Sequence, residues 1–194
     1  MITGLMTAGE FSETRHTMPE GGRWHELHSG RPVLLESPND EHGTVVLNLS
    51  RALAKWFSEQ NSKFFGYAAH DVGLLVDTAP DTVLMPPISY FDEGECFGQS
   101  DRVIADLVPR LVVDIASSND RRLLMRERTL MFLNHSVECV WIPDPFKREV
   151  QVLQRGVHTV ALGDRQTLSG GTLLPGFELS VSALFAQPIW WDQM

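Results

Sequence analysis

The segment Arg110-Leu111-Val112-Val113-Asp114-Ile115-Ala116-Ser117 constrains this chain more than any other. It is an almost unbroken apolar run with one acid in its middle. Ser117-Ser118-Asn119-Asp120 follows as a helix cap, then a helical stretch to about residue 134, then a second apolar run over 137–142. Continuous apolar strands are covered on both faces, and a strand-helix-strand crossover joins parallel strands. The expectation is a single α/β domain, a mixed β-sheet flanked by helices. An Asp is a poor strand residue and costly to bury unpaired. Asp114 therefore calls for a cation, a hydrogen-bond partner or a chemical role.

The rest of the chain fits around that crossover. Thr7 and Glu10 spell a capping box for a short helix to about residue 17, which Pro19-Glu20-Gly21-Gly22 breaks. Residues 23–28 and 32–36 read as a hairpin turning at Ser29-Gly30. Ser37-Pro38-Asn39-Asp40 opens a helix, with Pro38 placed in its first turn. Val45, Val46, Leu49, Leu53, Trp56 and Phe57 recur at helical spacing. Strands are expected over 64–69, 72–76 and 82–91, the last disturbed by Pro86-Pro87, with a surface loop over 92–101. Beyond the crossover, whose second strand closes at Pro143-Asp144-Pro145, come short β-segments at 149–153 and 158–162 and a helical turn over 181–185. The core is expected over about 7–185, with a tail at 186–194. Trp190-Trp191 in that tail is expected to pack on the domain or on a second subunit of a homodimer, since two exposed tryptophans would make an unusual apolar patch.

Composition narrows the function. The formal net charge is −9, which argues against coating nucleic acid by charge alone but leaves room for a locally basic face. Cys96 and Cys139 are the only cysteines. Without a CxxC pair they exclude the usual zinc and redox motifs and fit a reducing cytoplasm. His25-Glu26-Leu27-His28 lacks the i, i+4 histidines of a zinc helix, and on a strand His25 and His28 face opposite ways. No run approaches the roughly 20 apolar residues of a membrane helix, and residues 1–5 do not begin a signal peptide.

From the first helix to Phe185 the chain resembles the Uma-type restriction endonucleases, a bacterial group in the PD-(D/E)XK nuclease superfamily. The resemblance rests on Trp24-His25-Glu26-Leu27-His28-Ser29-Gly30, on Ser37-Pro38 with His42, and on Pro109-Arg110-Leu111-Val112-Val113-Asp114-Ile115-Ala116-Ser117. It continues in Val137-Glu138-Cys139-Val140-Trp141-Ile142-Pro143-Asp144-Pro145 and Leu174-Pro175-Gly176-Phe177. It implies a restriction-endonuclease-like fold and metal-assisted cleavage of DNA. Two carboxylates would hold Mg²⁺, a hard cation that takes oxygen ligands. The metal would polarise the phosphate and activate water, and a Lys would stabilise the charge.

The resemblance also marks departures. The Pro-Asp position of the family falls on Pro86-Pro87, so the first carboxylate is missing. The family Glu falls on Asp114, the Lys on Arg128 and a following Tyr on Phe132, while Glu26 and His42 are retained. The candidate catalytic residues are therefore Glu26, Asp114 and Arg128, with Asp114 the metal ligand. His42, Arg121 and Arg122 are candidates for the substrate, within the basic run that also holds Arg126. Each has a plainer alternative: Asp114 as a buried acid paired with Arg128, Glu26 as a hairpin polar residue, His42 as a helix cap, the arginines as a solvated helix face. Asp81, Asp92, Glu93 and Glu95 are the acids considered as replacements for the missing ligand. Three function classes follow: a nuclease relative with a degenerate site, an active Mg²⁺-dependent endonuclease, and a non-catalytic interaction or structural protein on the same scaffold.

Overall fold

The computed structural model describes residues 4–60 and 66–188. Trp190-Trp191, expected to pack on the domain or a second subunit, and the start of the strand expected at 64 lie outside them. The capping box forms, Thr7 Oγ1 accepting from the Glu10 amide, and opens α1 (Ala8–Thr14). This helix ends three residues earlier than expected, and a 3₁₀ turn (Arg15–Thr17) follows. Strands β1 (His25–His28) and β2 (Arg31–Leu34) form the expected hairpin. Its turn residues Ser29 and Gly30 both take positive φ, 48° and 74°, the geometry that lets a two-residue turn match strand twist.

Helix α2 (Asp40–Glu59) carries the apolar stripe read from sequence. Its cap is Asn39, whose side chain accepts from the His42 amide at 2.9 Å. Pro38 thus precedes the cap instead of sitting in the first turn. Next come β3 (Tyr67–His70), β4 (Leu74–Asp77), β5 (Thr82–Leu84) and β6 (Ile88–Phe91). The single strand expected over 82–91 is two strands in two sheets. Met85-Pro86-Pro87 is the crossing, and the two prolines cannot donate to a ladder.

Strand β7 (Leu111–Val113), helix α3 (Asn119–Asn134) and strand β8 (Cys139–Asp144) make the predicted crossover. β7 and β8 are adjacent and parallel, Val112 opposite Val140. β8 starts two residues late and runs through Pro143, because Pro143 still presents its carbonyl to the Ala116 amide at 2.9 Å. Strands β9 (Glu149–Gln154) and β10 (Val160–Gly163) follow as a hairpin. Strands β11 (Thr167–Ser169) and β12 (Glu178–Ser180) pair with each other, a ribbon not among the expected segments. The expected last turn is α4 (Val181–Leu184).

The main sheet has six strands in the order β10-β9-β8-β7-β6-β3, and a four-stranded sheet runs β2-β1-β5-β4. This is the mixed α/β sheet flanked by helices. One face of the main sheet packs on α2 through Val45, Leu49, Leu53 and Trp56 against Ile88, Val113 and Trp141. The other packs on α3 through Met125 and Phe132 against Val112 and Val140. A third cluster seats Phe11 of α1 on Leu27 and Val83 of the small sheet. The β4–β5 hairpin leaves the main sheet after β3 and returns at β6, which pairs with β3. The excursion carries the small sheet against the C-terminal end of β7.

Leu49 is fully buried beneath α2. Leu49→Ala should lower unfolding free energy by about 2–5 kcal/mol, measured by urea titration. Lys55→Ala, on the exposed face of the same helix, should change it by less than about 0.5 kcal/mol.

Candidate functional site

The site lies where the small sheet meets α3. Residues 114–116 lie just beyond the last paired residue of β7, but the ladder bonding continues. The Asp114 amide donates to the Trp141 carbonyl at 3.0 Å and that of Ala116 to Pro143. Asp114 is thereby held at the sheet end and turned toward α3. Arg128 comes from the inner face of α3, nearly three turns from the Ser118 cap. Glu26 comes from the middle of β1, on the face opposite Leu27. All three side chains are buried: Glu26 0%, Asp114 1% and Arg128 4% exposed.

Arg128 joins the two acids. Its Nε donates to Asp114 Oδ2 at 2.6 Å and its Nη1 to Glu26 Oε2 at 2.5 Å. Glu26 Oε1 accepts the Met85 amide at 2.6 Å, and Oε2 also lies 2.8 Å from His28 Nε2. That amide is the last before the two prolines of the crossing, so Glu26 ties the small sheet to the junction. Burial alone would raise the Glu26 carboxyl, but the Arg128 charge, with the bonds from His28, Arg128 and Met85, brings it down to about 2. Burial likewise opposes the Arg128 charge, and Asp114 and Glu26 outweigh it, so its pKa is raised. Asp114 Oδ1 and Arg128 Nη2 are buried without a hydrogen-bond partner.

Beside the triad is a small cavity of about 20 Å³, lined by Glu26, His42, Asp71, Pro87 and Arg121 among others. Arg121 reaches it while donating to the Glu36 carbonyl at 3.1 Å. His42 does not cap its helix, since Asn39 does. Its Nδ1 lies 3.0 Å from Ser117 Oγ. Burial, and then the Arg121 charge, push His42 down to about 4. Arg122 is not in this group. It donates to the Ala116 carbonyl at 3.0 Å and lies over the Phe146 ring on the other flank of α3. One helical position separates it from Arg121, and the helix turns by about 100° per residue.

None of the four considered replacement acids reaches the site. Asp81 accepts the Ala8 amide at the start of α1, Asp92 pairs with Arg110, and Glu93 and Glu95 are exposed. The sequence reading missed Asp71. It follows β3 with φ 52°, and its amide donates to the Pro87 carbonyl at 3.3 Å. Burial raises its carboxyl despite His70, Arg15, Arg121 and Arg23 nearby. The antiparallel pairing of β3 with β6 puts it across from Pro87, and that pairing is the signal that could have found it.

A divalent cation needs several convergent oxygen donors. Among the described residues no three His, Cys, Asp or Glu side chains converge as a metal group. Both oxygens of Glu26 are already taken, and a guanidinium charge stands between the two acids. The donor set of the triad does not fit Mg²⁺.

A mixed sheet flanked by helices, with acids from two strands meeting a cation from the following helix, defines a restriction-endonuclease-like protein. The model of the Uma2 family, described as "Putative restriction endonuclease", matches residues 12–182, and the chain belongs to this family. Its fold is similar to the crystal structure of "a putative nuclease belonging to DUF820 from Anabaena variabilis". The TM-score is 0.73 and the identity 18%, over 93% of this chain and 97% of that one. No curated protein matches the chain.

Two acid-limb steps should follow. His42 falls from its ordinary 6.5 to about 4 on folding, so the stability its neutral form contributes is present above pH 6.5. It is lost as pH drops toward 4. Glu26 falls from 4.5 to about 2, so its contribution is present above pH 4.5 and lost toward pH 2. Chemical denaturation across pH should show the upper step flattened in His42→Gln and the lower one flattened in Glu26→Gln. Asp114→Asn should cost about 3–5 kcal/mol at pH 7, because the buried guanidinium loses a counter-charge.

Proposed function

We propose that this protein is a nuclease relative in which a guanidinium of its own replaces the catalytic metal, so that DNA cleavage is absent or very weak. One observation carries this reading: Arg128 bonds both Glu26 and Asp114. In a working site, convergent carboxylates repel one another and a divalent cation relieves the strain. Here Pro87 removes one acid and Arg128 neutralises the other two. A guanidinium cannot deprotonate water at neutral pH, and its rigid fork is satisfied by carboxylates. Glu26, Asp114 and Arg128 are thus catalytic by position and structural by bonding. Arg121 and His42 remain beside the cavity, where a phosphate oxygen would meet a cation and a neutral imidazole. DNA remains the partner class that the family suggests.

A second reading has its own support. Asp71 stands across from Pro87 on the neighbouring strand, and it shares the cavity with Glu26. If its carboxylate does the work of the missing acid, the protein is an active Mg²⁺-dependent endonuclease.

Plasmid and oligonucleotide cleavage with Mg²⁺ or Mn²⁺ should be undetectable or very weak for the wild type, and its melting temperature should stay flat across Mg²⁺ concentrations. The double variant Pro87→Asp/Arg128→Lys restores the acid and shrinks the cation. Its melting temperature should climb with Mg²⁺, since a bound ligand stabilises in proportion to occupancy. Robust wild-type turnover that vanishes in Asp114→Ala would overturn the first reading. Turnover that also vanishes in Asp71→Asn would establish the second.

A further inference from the structure

Helix α3 lies over β7 and β8, and the main sheet runs on past it through β9 to β10. A groove of about 480 Å³ opens between the helix and those projecting strands. One flank of α3 is its wall. Arg122, Arg126, Leu130 and Leu133 line it at intervals of four, four and three residues, the spacing that keeps side chains on one side of a helix. Arg128 points to another side, toward Glu26 and Asp114. The floor is Ile142 of β8 and Leu153 of β9, with Asp144 at the end of β8 and Lys147 just beyond it. Because α3 runs back between two parallel strands, its start lies beside the end of β8. The charged side chains therefore gather at one end of the groove and the aliphatic ones at the other.

The charged end is cationic. Asp144 is buried and already engaged: its Oδ1 accepts the Lys147 amide at 3.1 Å and lies 3.5 Å from Arg122 Nη1. Arg122 is held further by the Ala116 carbonyl and the Asn119 side chain. Lys147 Nζ stands 4.0 Å from Asp144 Oδ2, a loose pair on a half-exposed side chain. Arg126 is exposed and forms no ion pair with any described residue. Three cations thus share one carboxylate, in a chain whose net charge is −9. Glu127 of α3 and Glu149, opposite Asp144 on β9, do not line the groove.

We propose that this groove binds a small aliphatic anion: a carboxylate or phosphate monoester on an unbranched hydrocarbon chain, its head held by Arg126 and Lys147. Charge-assisted bonds from a guanidinium and an ammonium suit either head. The volume falls within the range of about 300–1,000 Å³ usual for ligand pockets. A helix rises about 1.5 Å per residue, so Leu133 lies about 10 Å along α3 from Arg126. With C–C bonds of about 1.5 Å, a zigzag chain of about eight carbons spans that distance. Leu130, Leu133, Ile142 and Leu153 then cover it. Two other anionic occupants fit less well. A nucleotide brings a base, and the lining holds no aromatic ring on which a base would stack. An acidic protein helix is about 10–12 Å across with its side chains. The groove volume over its length gives a cross-section of only roughly 50 Å².

The experiment is a methyl NMR titration of the full chain, following Leu130, Leu133, Ile142 and Leu153, with sodium decanoate as the probe below its micelle concentration. Saturable shifts at those methyls are expected. The dissociation constant should fall roughly fourfold per methylene from hexanoate to decanoate, and acetate, a head without a chain, should give no saturable shift. Decyl phosphate should bind, and decyltrimethylammonium, the same chain on a cation, should not. Arg126→Glu/Lys147→Glu should weaken decanoate by roughly tenfold or more and take up decyltrimethylammonium instead. Both positions are exposed, so the variant's circular dichroism should match the wild type. The chain-length series and the choice of anion over cation are read on the wild type alone and stand whether or not that variant folds. Absence of saturable shifts would overturn the proposal, as would equal binding of decanoate and decyltrimethylammonium, the mark of unspecific adsorption. Thymidine monophosphate binding more tightly than decanoate at the same methyls would assign the groove to nucleotides. Shifts with phosphatidylglycerol vesicles but not with monomeric decanoate would assign it to a lipid surface, and either result would overturn the small-anion site.

Discussion

A guanidinium with carboxylates on two sides, all of it out of water, is the constraint on which the rest of this architecture turns. Each charge would be prohibitively costly to bury alone. Held together by bonds of 2.5 and 2.6 Å, they become tolerable, and the arrangement needs three separate elements in register. The small sheet must hold Glu26, the crossing at Met85 must return an amide to it, and α3 must turn Arg128 inward. A buried ion group of this kind contributes less to net stability than to the choice of one geometry, since an apolar replacement of equal volume is often as stable. Here the group ties the small sheet to the end of the main one, through Glu26 bonded to Arg128 and to the Met85 amide.

That view also explains why the site looks settled when read as chemistry. Catalytic groups are usually left short of partners until substrate arrives. Glu26 has a donor on each oxygen, and Arg128 uses its fork on protein acids. The unsatisfied atoms are few: one oxygen of Asp114, one nitrogen of Arg128 and one of His25 in this region. Asp71, by contrast, sits in strained backbone at the rim with its carboxyl disfavoured as an anion. Of all the acids near the junction it is the least committed.

Much of the fold was legible in the residues. The apolar runs flanking α3 dictated a parallel pair, and the stripe of α2 announced a sheet beneath it. The need of Asp114 for a partner followed from an acid on a buried strand, whereas the choice of Arg128 for that partner came from the family resemblance, which puts a cation at that position of the next helix. What could not be read had local causes. Pro86-Pro87 signalled a disturbed strand, but whether it meant a bulge or a change of sheet depends on where β5 finds its partner, β1. Arg121 and Arg122 look equivalent in a basic run, and the helix turns them about 100° apart, Arg121 toward the cavity and Arg122 toward Phe146. Asp71 was invisible because its significance lies entirely in its cross-strand neighbour. The ribbon of β11 and β12 is too short, at three residues each, to show alternation.

The separation of the triad along the chain has a consequence for how the molecule comes together. Asp114 and Arg128 are 14 residues apart, whereas Glu26 and Arg128 are 102 apart. The first pair can meet as soon as β7 and α3 exist, within one local unit. The second must await closure of a loop more than half the length of the chain, and contacts at such separation slow folding. Until then the guanidinium has one counter-charge and Glu26 remains in water. If β1 docks after β7 and α3, Glu26 is buried against a cation already in place, and substitutions at Glu26 are expected to speed unfolding more than they slow folding.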